Sequence, residues 1–135
     1  MKRLLSSKVV VPAASALTLL AFTMPAFAYS SVTATASITF SESSSYYRAI
    51  GKGTVKPNGD VNKYQRIENR TILQNNASWR SISSDTDNKT VTVTITSDKE
   101  GDDLYWVCSV DGELWDGDLI DEDSDKVTKK YAFRP

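Results

Sequence analysis

The chain has 135 residues, with 16 Lys and Arg against 17 Asp and Glu, no His and one Cys. That length closes a single hydrophobic core and leaves no room for a second folded domain. Without His there is no Ser-His-Asp triad, no Cys-His dyad and no His-ligated zinc or haem, and acid/base chemistry near neutral pH loses its usual agent.

Lys2, Arg3 and Lys8 make a basic start, and Val9 to Phe22 is uncharged and mostly apolar, too short a run for a membrane-spanning helix. Pro25 then precedes Ala26-Phe27-Ala28, the small residues a signal peptidase admits. Residues 1–28 therefore read as a secretory signal peptide cleaved after Ala28, and 29–135 as one exported, extracellular domain. No Cys stands at the cleavage site to carry a lipid, so no membrane attachment is expected afterwards. Cleavage removes three bases and takes the net charge from −1 to −4. Cys108 has no partner in its own chain, so the core must hold the fold without a disulfide.

Val32 to Phe40 alternates apolar residues with Thr and Ser, which marks a half-buried strand. Tyr46 to Val55 is expected as the second strand, with Gly51 and Gly53 marking a bulge or a close backbone approach, and Lys56-Pro57-Asn58-Gly59-Asp60 as the turn after it. Lys63 to Arg70 fits helical as well as extended spacing, since Tyr64, Ile67 and Thr71 share a helical face. Asn75-Asn76 separates Thr71-Ile72-Leu73 from Ser78-Trp79-Arg80-Ser81-Ile82. Lys89 to Thr96 is expected as a strand, β-branched at every residue from Thr90, with Val91, Val93 and Ile95 on one face. Leu104, Trp106, Cys108 and Val110 share a face of the next strand, which Asp111-Gly112 is expected to turn back. Val127 to Phe133 closes the set, with Lys129 marking an edge. About seven strands and no long helical pattern predict an all-β fold of antiparallel sheets packed face to face. Trp79 and Trp106 are the expected centre of its core, with Cys108 buried beside them.

Asp102, Leu104, Trp106 and Cys108 at alternate positions, preceded by Val91, Val93 and Ile95, resemble the sixth and fifth strands of an immunoglobulin-like β-sandwich. Trp79 then corresponds to that fold's third-strand Trp. Trp106 stands where the corner Tyr usually lies, and the first framework Cys is absent. The whole chain also resembles, more loosely, small secreted proteins of Gram-positive bacteria. Those resemblances imply compartment and fold and carry no activity.

Charge is unevenly placed: Asp98 to Asp125 holds twelve acids and one base, Lys99. On a sandwich the stretch from Asp116 to Asp125 is expected as a carboxylate loop at one end. Asp116, Asp118, Asp121 and Asp123 are candidate ligands for calcium, the only cofactor the sequence brings into question. Lys126 replaces the turn Gly, and Ala132 the bidentate acid, of an EF-hand. A contact surface is expected around Trp115, Glu113, Asp111 and Asp125, where an aromatic flanked by acids can meet a protein or carbohydrate ligand. The expectation is a secreted, monomeric, non-catalytic binding protein; the alternatives are a small antimicrobial or toxin-like protein and a carboxylate hydrolase using Glu113. Nucleic acid is not an expected partner, because Arg66 with Arg70 and Lys129 with Lys130 are small clusters on a negative chain.

Overall fold

The computed structural model describes residues 29–59 and 64–132. The proposed signal peptide, Asp60, Lys63 and Phe133 lie outside them. Seven strands follow one another: β1 Tyr29–Glu42, β2 Tyr47–Gly59, β3 Arg66–Asn75, β4 Arg80–Asp87, β5 Val91–Thr96, β6 Tyr105–Asp116 and β7 Asp118–Lys130. They form an antiparallel three-stranded sheet in the order β1-β2-β5 and an antiparallel four-stranded sheet in the order β4-β3-β6-β7. The fold is the all-β sandwich expected. Its inner faces follow period-two alternation: Val91, Val93 and Ile95 are buried while the intervening Thr residues are exposed.

The core has two apolar clusters. Ile38, Tyr47, Leu73, Ile95, Trp106 and Cys108 belong to one, and Val32, Val55, Ile67, Val110 and Leu114 to the other. Between Ile67 and Leu73 on β3 lie two buried polar residues. Asn69 Nδ2 donates to the carbonyls of Gly53 and Val91, both at 2.9 Å, and Thr71 Oγ1 donates to Asn69 Oδ1 at 2.7 Å. This network ties β3 to β2 and β5 across the sandwich and satisfies its own members, as burial requires. Close approach of the sheets explains Gly53: a Cβ there would collide with Thr71 Oγ1.

Three expectations need correction. The sequence Lys56-Pro57-Asn58 is not a turn but the end of β2, paired with Thr33, Val32 and Ser31. The segment left open between helical and extended spacing is strand from Arg66, with Ile67, Asn69, Thr71 and Leu73 facing inward. Trp79 is not a third-strand residue; it precedes β4, half-buried against Trp106, and its Nε1 donates to Asp98 Oδ2 at 3.2 Å. Nor does Asp111-Gly112 turn the chain. β6 runs on to Asp116, Gly112 makes room for Val55, whose Cγ1 would lie 2.6 Å from a Cβ there, and the reversal comes at Gly117 with φ of 77°.

The acidic stretch is therefore not a loop but strand β7. Its alternate side chains face the unpaired edge of β1: Asp121, Asp123 and Asp125 accept the backbone N–H of Val32, Ala34 and Ala36 at 3.0, 2.9 and 2.9 Å. Lys129 Nζ donates to the Ile38 carbonyl at 3.3 Å, and Gln65 brackets Tyr29 by bonding both its N–H and its carbonyl. Side chains in place of a backbone ladder thus join the two sheets, β1 and β7 running in the same direction. Edge donors left open would template association, so the carboxylates protect this side of the molecule.

Candidate functional site

With Asp121, Asp123 and Asp125 turned toward β1, alternation sends Glu122, Ser124 and Lys126 to the outer face of the four-stranded sheet. Register aligns Glu122 with Glu113 and Glu113 with Glu68, a row of three glutamates across β7, β6 and β3. The next row holds Ser124, Asp111, Arg70 and Ser84. Neighbouring strands lie about 4.8 Å apart, so like charges directly opposite one another repel.

Local partners offset part of that repulsion. Arg66 Nε lies 2.9 Å from Glu68 Oε2, and Trp115 Nε1 donates to Glu113 Oε1 at 2.9 Å. The Arg66 guanidinium also sits 5.5 Å from the centre of the Trp115 ring. Arg70 Nη1 is 3.9 Å from Asp111 Oδ2, a loose pair between half-exposed groups. Glu122 has neither a hydrogen bond nor an ion pair among the described residues. Glu68, Arg70, Ser84, Asp111, Glu113 and Glu122 line a shallow concavity of about 540 Å³. Its carboxylates accept hydrogen bonds and attract cations, Arg70 donates, and the serine hydroxyls do both.

Of the residues expected to form a contact surface, Trp115, Glu113 and Asp111 share this face. Asp125 does not; its carboxylate points the other way and holds Ala36. The four candidate calcium ligands are also divided, Asp116 and Asp118 flanking the Gly117 turn while Asp121 and Asp123 hold β1. Among the described residues no three Asp, Glu or Cys side chains are arranged to hold a metal ion. Arg66 and Glu68 join the site without having been singled out for it. Their signal was available as Arg66, Glu68 and Arg70 alternating with Ile67, Asn69 and Thr71.

Cys108 is fully buried, and burial pushes its thiol up, away from the reactive thiolate. Burial raises Tyr47 as well, and burial with the neighbouring Glu42 carboxylate pushes Tyr131 up to about 12. Both tyrosines stack in the core, ring centres 3.7 Å apart, and take no part in the outer face. Comparison with protein-family models, curated proteins and solved structures gives no match for this chain.

Proposed function

We propose that the protein is a secreted, non-catalytic binding protein whose contact surface is the outer face of the four-stranded sheet, centred on Glu113, Glu68 and Trp115. The observation that carries this reading is the row Glu68, Glu113 and Glu122. Lining up three carboxylates costs stability and buries nothing, so the row serves a ligand better than it serves the fold. The chemistry favours a partner rich in Lys or Arg, with a polyhydroxylated sugar as the alternative ligand. An open, shallow sheet face offers little to hold a scissile bond between two carboxylates, which supports binding over catalysis. The strand orders β1-β2-β5 and β4-β3-β6-β7 support the immunoglobulin-like resemblance, and the basic and apolar start of the chain supports export.

Residues 29–135 should be titrated with a lysine-rich peptide and with a panel of soluble glycans, following tryptophan fluorescence at two salt concentrations. Binding of the basic peptide that weakens with salt, and falls at least about tenfold in Glu113→Gln and Trp115→Ala, is the expected result. Binding of neither class, or equal binding by the variants, overturns the proposal.

A further inference from the structure

The two outer edges of the four-stranded sheet are treated differently. Strand β7 lies along the β1 seam, where carboxylates occupy the edge donors. Strand β4, at the other end of the sheet, pairs among the described residues with β3 alone. Edge strands are usually guarded by charged side chains, inward-pointing charges, Pro, a bulge or shortness. The β4 sequence Arg80-Ser-Ile-Ser-Ser-Asp-Thr-Asp87 carries its charges at the two ends, as Arg80, Asp85 and Asp87, so Ser81 to Ser84 between them has no charge, no Pro and no break in its register with β3. Among the described residues no strand covers its outer side.

Hydrogen bonding fixes which groups that side presents. Asn75 N–H donates to the Trp79 carbonyl, so in antiparallel alternation Ser81, Ser83, Asp85 and Asp87 bond inward to β3. Arg80, Ile82, Ser84 and Thr86 then direct their backbone groups outward. Asp85 Oδ1 accepts the Thr86 N–H at 2.9 Å, which ends the open stretch after Ser84. At its middle stands Ile82, 43% exposed and paired with Ile72 on β3.

We infer that a second copy of this chain pairs with β4, antiparallel about a two-fold axis that passes between Ile82 and its counterpart. In that register Ile82 faces its own counterpart, and Arg80 faces Ser84 of the other copy. Each outward residue of the open stretch then exchanges both of its backbone hydrogen bonds. Ile72 and Ile82 of the two copies form a continuous apolar row across the junction. Charge agrees with this occupant: β4 is positive at its start and negative at its end, so antiparallel pairing sets unlike ends together. The outer-face residues of β4 are Arg80, Ile82, Ser84 and Thr86, without an acid, so two negative molecules meet where neither repels the other. The product is one eight-stranded sheet carrying both glutamate rows on the same side. This inference does not depend on what those rows bind.

Analytical ultracentrifugation of residues 29–135 over a concentration series is the test, with Ser84→Pro and Ile82→Thr as variants. The Ser84→Pro change removes an outward N–H that β3 does not use, and Ile82→Thr keeps the strand while removing the apolar contact. The expected result is a monomer–dimer equilibrium that stops at two, with dissociation raised about tenfold or more in each variant and circular dichroism unchanged. If one variant fails to fold, the other carries the test. A monomer throughout the series, assemblies larger than two, or a dimer indifferent to both substitutions overturns the inference.

Discussion

Replacing Asp123 with Ala separates two accounts of the acidic strand by sign. Asp123 Oδ2 accepts the Ala34 N–H at 2.9 Å in a partly buried seam. A hydrogen bond to a charged acceptor contributes about 1.5–3 kcal/mol when shielded, and half of that is a fair figure where water has access. Against it stands repulsion from Asp121 and Asp125, which flank Asp123 on the same face roughly 7 Å away along the strand. In water that is about 0.6 kcal/mol for each neighbour, and salt at physiological strength reduces it by half or more. The hydrogen bond wins by the difference, so Asp123→Ala should destabilise the domain by about 0.5 kcal/mol and lower its melting temperature by about 2–4 °C. Asp123→Asn keeps an acceptor and relieves the repulsion, and should stay within about 0.5 kcal/mol of the parent. Urea unfolding at pH 7 with an unchanged slope reads both values. An Asp123→Ala protein as stable as the parent, or more so, would show that the run is a self-repelling solvated stretch and that the seam does not hold.

Gly112→Ala and Gly117→Ala should fail for different reasons: the first drives a Cβ to 2.6 Å from the buried Val55 and costs about 1–3 kcal/mol, while the second meets open space and pays only for a φ of 77°, about 1 kcal/mol. A Gly112→Ala protein as stable as the parent in urea unfolding, or a Gly117→Ala protein that loses more than Gly112→Ala does, would contradict the placement of the turn. Cys108 should resist an aromatic disulfide reagent in the native protein and react at once in urea, since it is buried and its thiol is raised; rapid native labelling would remove it from the core. Alkaline stability follows from Tyr131 and Tyr47. The unfolded chain releases these protons near pH 10, whereas folded Tyr131 keeps its own until about 12, so stability is intact below pH 10 and declines from there toward 12. Urea midpoints between pH 8 and 11.5 should show that decline, and Tyr131→Phe should reduce it.

Legibility in the sequence followed the physics of each strand. β1 and β5 were plain because one face meets the core, so Val32, Ala34 and Ile38, or Val91, Val93 and Ile95, alternate with Thr and Ser. β7 carries no such sign. Apart from Val127, which packs against the core, its inward residues meet the hydrogen-bonding edge of β1, so the side chains that suit them are Asp121, Asp123 and Asp125, and both faces look polar. Asp111-Gly112 has the composition of a hairpin turn, yet the glycine there answers to Val55 in the facing sheet, a contact that no local pattern encodes. The outer face was half legible. Glu113 and Trp115 stood out by composition, whereas their alignment with Glu68 is a matter of register, and register is set by pairing between distant parts of the chain.

Amide hydrogen exchange, resolved residue by residue by NMR on residues 29–135, tests the docking of β7 most directly. Bonded to carboxylates, the amides of Val32, Ala34 and Ala36 should exchange far more slowly than those of Ile82 and Ser84 on the open β4 edge measured in dilute, monomeric protein. Equal, fast exchange at all five would mean that the acidic strand does not seal β1, and the outer face built on its alternation would lose its foundation.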